Sequence, residues 1–182
     1  MNEKILIANL YFLFCVAFLP QHIFLPSIVT TAIYFETNYS TMQFAISAFM
    51  AGGATLQIIL GPLSDRFGRR PILLISLLGF ILVTVGCIFS SDAYSFLFFR
   101  TLQALSIGGL VIGRAIVADT QNPNEIFKIM ANLAIIMAFI TITGPVLGEF
   151  IDTRYGWKFS FYFLLLLGSV LLVINFIALP ET

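Results

Sequence analysis

Long apolar runs broken by short polar stretches set the rhythm of this chain. A helix needs about 20 mostly apolar residues to cross the hydrocarbon of a bilayer. By that measure the pattern predicts six spans, at roughly 5–34, 41–63, 71–91, 94–118, 126–149 and 158–179. The breaks hold the polar residues: Glu36 to Asn38, the stretch GPLSDRFGRR at 61–70, Ser90 to Asp92, Asp119 to Glu125, and Asp152 to Trp157. Ser40 is placed to cap the second helix, and Pro71 suits the first turn of the third. The fold class this predicts is an all-α membrane protein, one six-helix transmembrane domain over 1–182, because helices satisfy their own backbone polar groups as lipid requires.

Composition sharpens the picture. The chain is 59% hydrophobic and 10% charged over 182 residues, whereas soluble domains carry roughly 25% charged residues. Net charge is zero and no basic run occurs, so nothing points to a nucleic-acid partner. Cys15 and Cys87 lie within apolar runs and read as small hydrophobes rather than a disulfide. The opening MNEK has one lysine and no small-residue cleavage site after its apolar run, so it reads as a first membrane helix and not a removable signal.

Lys and Arg in short loops set orientation. Lys4, Arg66, Arg69, Arg70 and Lys128 fall on one side of the predicted bundle; Arg154 and Lys158 fall on the other. Five against two places both termini and the 61–70 stretch in the cytoplasm.

Positions 61–73 read G-x-L-x-D-R-x-G-R-R-x-x-L. A basic loop alone explains the arginines, but not an acid and two glycines at these offsets. The pattern resembles the signature loop of the major facilitator superfamily of secondary transporters. RTLQALSIGG at 100–109 is similar to that family's Arg-x-x-Gln pattern, with Ala104 and Ser106 where small glycines are usual. TGPVLG at 143–148 resembles the Gly-Pro-x-x-Gly motif of its antiporter branch, with Glu149 where a second glycine is common. FLPSI in the first span and the closing LPET resemble drug:proton antiporters of the bicyclomycin-resistance type. The likeness covers the whole chain but only the N-terminal half of such a transporter, which has twelve spans in two six-helix halves.

The candidate site residues follow. Gly61 and Gly68 would let the backbone turn tightly between two helices. Asp65 would cap or face a helix N-terminus; the resemblance implies that it latches the two halves together, with its partner in the second half. Arg66, Arg69 and Arg70 would pair with local acids, Asp119 being the suggested partner, or would only enforce topology and meet lipid phosphates. Arg100 sits about 10 Å into its span at 1.5 Å per residue, where insertion of an arginine costs about 2.5–3.5 kcal/mol. It either snorkels outward or, with Gln103 one turn away, forms a polar stripe along a cavity; the resemblance implies a coupling or substrate region. Arg114 reads as an anchor at the other end of that helix.

His22 is the sole histidine and lies about 25 Å along its helix, near the level of Arg100. The antiporter branch often has an acid here. A histidine can carry a proton near neutral pH, or stay neutral and hydrogen-bonded. Pro20 and Pro26 should bend span one, and Gly144 with Pro145 should bend span five. Gly109-x-x-x-Gly113 and Gly144-x-x-x-Gly148 offer small faces for helix packing. Glu149 would meet Arg154 or sit among headgroups.

No nucleotide loop, metal cluster or nucleophile triad is visible, so neither enzyme chemistry nor a cofactor is indicated. The resemblance implies proton-coupled efflux of drugs or small amphipathic molecules across the bacterial inner membrane by alternating access. The chain would work with a missing C-terminal half or a second six-helix chain; the other reading is a remnant or membrane interaction partner that transports nothing.

Overall fold

The computed structural model describes residues 3–178; the closing LPET lies outside them. The described residues form helices and contain no strand. Six stretches are long and apolar enough to cross a membrane: Leu6–Tyr34, Tyr39–Phe67, Arg69–Phe89, Ala93–Thr120, Pro123–Tyr155 and Lys158–Ile177.

Two of the six are not continuous α-helix. Span one consists of α1 (Glu3–Ile23), a 3₁₀ turn at Leu25–Ser27 and α2 (Ile28–Tyr34). Pro26 lies in that turn and has no N–H to continue the ladder, which is why the helix breaks there. Span four consists of α5 (Ala93–Leu102), a 3₁₀ segment at Gln103–Ile107 and α6 (Gly108–Thr120). Spans two, three, five and six are single helices: α3 (Tyr39–Phe67), α4 (Arg69–Phe89), α7 (Pro123–Tyr155) and α8 (Lys158–Ala178). In α7 the helix runs unbroken through Gly144 and Pro145.

Helix ends differ from the hydropathy reading because capping, not apolar content, sets them. Asn38, rather than Ser40, caps α3 by accepting from the Thr41 amide at 2.8 Å. Asn122 accepts from the Glu125 amide, with Pro123 at the first helical position. Asp92 and Ser95 form a reciprocal capping box at the start of α5. This hydrogen bonding, first to the Ser95 amide, holds the exposed Asp92 carboxyl below its ordinary range.

The most extensive packing joins α1 to α7 and α4 to α8. One apolar core runs along spans one, three and four. A second, around Phe24, Phe96, Trp157 and Phe161, closes the end opposite the Gly61–Arg70 stretch. Cys15 and Cys87 are free thiols, Cys87 fully buried in this second core. Spans one and six are also tied by polar groups: the buried Asn9 amide donates to Asn175 at 2.9 Å, and Asn175 donates back at 3.4 Å.

Candidate functional site

Three groups of polar residues stand out against this apolar frame. The first is the junction of α3 and α4. Here the expectation of a glycine-bounded loop needs correcting: α3 continues through Gly61 and Pro62 to Phe67, and the turn is Gly68 alone, at φ +94°. That left-handed conformation suits glycine. Gly61 has open space around it and makes no turn. Asp65 and Arg66 are therefore helical. Asp65 is positioned four residues before Arg69 and pairs with it instead of capping α4. Arg69 also donates to Asp119 at 3.0 Å and to Ser64 at 2.7 Å, so it ties span two to the end of span four. Arg70 reaches the Phe176 carbonyl on α8 at 2.8 Å. Arg66 lies over the Phe67 ring. The cluster thus bolts spans two, three, four and six together at one end.

The second group surrounds Arg100. The side chain neither snorkels nor lines an open cavity: it is 0% exposed. Because α1 ends at Ile23, the Pro20 carbonyl belongs to its last four, which lack helical partners. Arg100 donates to that oxygen at 2.6 Å. It also donates to Gln103, whose amide donates in turn to Thr84 at 2.9 Å. Phe24, Phe49 and Phe161 place their rings 4.7, 4.8 and 5.7 Å from the guanidinium carbon. No carboxylate pairs with Arg100 among the described residues. The 3₁₀ segment begins at Gln103, so the arginine and its partner sit where span four changes helix type. Beside this site a groove of about 180 Å³ opens between spans one, two and four, lined by Phe18, Gln21, Phe49, Met50 and Gln57 among others. Phe49 is shared by the groove and the arginine's cage.

The third group is the seam between spans one and five. Gly144 faces the Cβ of His22, and a Cβ on Gly148 would overlap the Ile23 carbonyl oxygen. The Gly-Pro-x-x-Gly motif therefore works here by letting α7 lie against the break in span one. His22 is buried, stacks near Phe18 at 4.8 Å, and has no hydrogen bond at either ring nitrogen. It lies two residues from the carbonyl that Arg100 holds, but the two side chains are not bonded.

One residue on this seam escaped the hydropathy reading. Asp152 was expected in the fifth loop; α7 extends through it to Tyr155, and it is buried, accepting from Thr30 at 2.7 Å. The four-residue spacing from Gly144 through Gly148 to Asp152 was the available signal. Thr84, Gln21 and Gln57 are likewise polar residues inside apolar spans. Glu149 is exposed and makes no ion pair with Arg154, which stacks over Phe150 instead. Arg114 is exposed midway along α6, short of the helix end expected of an anchor, and faces Phe14.

Comparison with known proteins agrees with this geometry. The chain is 32% identical over 167 residues to the multidrug resistance protein MdtM of Escherichia coli K12, covering 91% of this chain and 41% of that protein. It is 31% identical over 153 residues to a chloramphenicol resistance protein of Pseudomonas aeruginosa, covering 81% of this chain and 36% of that one. The chain thus spans about two fifths of the length of these relatives. Among solved structures, the human organic anion transporter MFSD10 (TETRAN) superposes with a TM-score of 0.79 at 21% identity, over all of this chain and 48% of that one. A bacterial homologue of the human lysosomal transporter Spinster, inward-facing and unoccupied, gives 0.77 at 16% identity, over all of this chain and 44% of that one. Both likenesses speak for the fold. The Major Facilitator Superfamily model matches residues 10–182. With six membrane-crossing helices arranged as the N-terminal half of that fold, the chain is an integral multi-pass membrane protein and belongs to the Major Facilitator Superfamily.

Proposed function

We propose that this chain is the N-terminal half of a secondary transporter that expels drugs or small amphipathic molecules by alternating access, in exchange for protons. The observation that carries the proposal is Arg100, a cation fully buried without a carboxylate partner among the described residues. Leaving a buried charge unpaired costs several kcal/mol. Intramembrane charges of this kind mark ion and substrate paths. The relatives named for multidrug and chloramphenicol resistance support drugs as the cargo, and the groove beside Arg100 offers the aromatic and amide surface an amphipathic molecule needs.

In this reading Arg100, Gln103 and His22 form the coupling or substrate path. Asp65, Arg66, Gly68, Arg69 and Arg70 are the latch, holding both halves on the cytoplasmic side; Gly61 belongs to the same signature but not to the turn. Gly144, Pro145 and Gly148 are the antiporter-motif segment, packed closely on span one. The second half, whether covalently continuous or a separate chain, docks on spans two and five, which bury only 22% and 17% of their apolar windows against 61% for span four. Both termini lie in the cytoplasm and the bilayer is the bacterial inner membrane.

The test is drug accumulation in energised cells expressing the chain alone, the chain with a second six-helix half, and that pair carrying Arg100→Ala. Accumulation should fall only in the second arm. Equal accumulation in all three rejects transport in favour of a remnant or interaction partner.

A further inference from the structure

Arg114 stands exposed midway along α6, faces the Phe14 ring at 6.0 Å and has no ion pair among the described residues. A cation within a span is costly to insert and marks a path or a site. Asp119, the acid nearest to it in sequence, is taken by Arg69 at 3.0 Å. No Asp or Glu occurs between Glu3 and Glu36, between Glu36 and Asp65, or between Asp92 and Asp119. The middles of spans one, two and four therefore hold no acid.

The groove between these three spans leads to Arg114. Gly109 and Gly113 let α6 lie against α1: a Cβ on Gly109 would meet Leu13 and Ala17, and one on Gly113 would meet Phe14. On α1 the groove is lined by Ala17 and Phe18, the next residues after Phe14 on the same helix face. On α6 it is lined by Leu110, four residues before Arg114. Four residues are about one helical turn, or about 6 Å. Arg114 thus follows Leu110 on one face of α6, one turn beyond the groove and toward the end where Asp119 meets Arg69.

We propose that the groove and Arg114 together bind amphipathic organic anions, the carboxylate or sulfonate meeting Arg114 and the apolar part lying against Phe18 and Phe49. A guanidinium matches such a head group with paired, charge-assisted hydrogen bonds. Gln21 and Gln57 add amide donors, and none of the residues lining the groove is acidic. The far wall acts in the same sense. Phe49 already holds Arg100 against its ring, 4.8 Å from the guanidinium carbon. A cationic cargo stacked on Phe49 would meet that second cation behind the ring, whereas an anion is attracted by it. That such an anion is cargo rests on the transport reading above; its binding does not.

The experiment measures binding without transport. Naphthalene-2-sulfonate and its neutral counterpart, naphthalene-2-sulfonamide, are dialysed to equilibrium against the full chain in phosphatidylcholine nanodiscs, with empty nanodiscs as the blank. The parent should hold the sulfonate about tenfold or more tighter than the sulfonamide, the margin expected of a hydrogen bond to a charged group. Arg114→Gln should remove that margin and leave the sulfonamide unchanged. Arg154→Gln, an exposed cation at the opposite end, should change neither. Ala54→Trp, which fills the groove from span two, should weaken both probes. Equal binding of the two probes by the parent overturns the proposal, as does a margin that survives Arg114→Gln. Sulfonate binding undiminished in Ala54→Trp also overturns it, since Arg114 would then be a surface anchor for headgroup anions. Anion binding as described, with no efflux when a second half is supplied, refutes the transport reading alone; drug efflux without any preference for the sulfonate refutes this site alone.

Discussion

Arg69 and Arg100 are the same residue in opposite circumstances. Arg69, at the end of the bundle, is met by Asp65, Asp119 and Ser64. Arg100, buried within span four toward the opposite end, has only a carbonyl, an amide oxygen and three aromatic rings. The first cation has more negative charge around it than it carries; the second has none. An exposed cluster whose cation is fully countered holds helices in place at small energetic consequence. A buried cation without its counter-charge is costly to the fold, and such a cost persists where the charge has work to do. The same kind of cation is a fastener where it is exposed and matched, and a working part where it is buried and unmatched.

The largest effect should come from disturbing the break in span one, three residues beyond Arg100's acceptor Pro20. Gly148→Leu would push a branched side chain into the Ile23 carbonyl and the Pro26 ring. Overpacking of this sort costs about 1–3 kcal/mol or more, and a clear drop in the thermal unfolding midpoint in detergent would show it. An unchanged midpoint would mean that the seam is looser than described. Next is the buried pair Asn9–Asn175, neutral where Arg69's partners are charged. Asn9→Leu alone strands a buried amide and should cost about 1–3 kcal/mol. Asn9→Leu with Asn175→Leu together should recover most of that, as a double-mutant cycle would report.

Smaller again is the fastener. The Asp65 and Asp119 side chains are 62% and 47% exposed, against 16% for Arg69. Asp119→Asn should therefore change stability by only about 0.2–1 kcal/mol, and less in high salt. A loss of several kcal/mol would erase the contrast between the two arginines. The smallest effect concerns Asp92, whose carboxyl is held below its ordinary range by the Ser95 amide. The stabilisation it lends the start of α5 is present above the carboxylate's unfolded value. It is lost as pH falls through the lower, folded one. Asp92→Ala should abolish that acid-side change in the Ser95 and Phe96 amide resonances; an unaltered titration would deny the cap.

How much of this was legible in the sequence divides along physical lines. Apolar length alone locates the six spans, because lipid tolerates little else. The Arg69–Asp119 pair was also legible, since both residues flank predicted helix ends on one side. Helix character around Asp65 was not: two glycines and a proline suggest a loop, but the Asp65–Arg69 pair spans one turn and the ladder continues to Phe67. The break at Leu25–Ser27 was announced by Pro26. The 3₁₀ segment at Gln103–Ile107 holds no proline or glycine of its own and packs against spans one, two and three. Asp152 was hidden for a different reason. A carboxylate near a span's end lowers local hydropathy and reads as a loop, yet helix periodicity places it on the same buried face as two glycines.

The central claim is that Arg100 is a buried cation whose counter-charge the six-helix half does not supply. Gln103→Glu tests it most directly, because it sets a carboxylate where Arg100 already donates a hydrogen bond. Thermal unfolding of the purified variant should show a higher midpoint than the parent, with drug efflux lost in cells that supply the second half. A lower midpoint, or efflux left intact, would contradict the account.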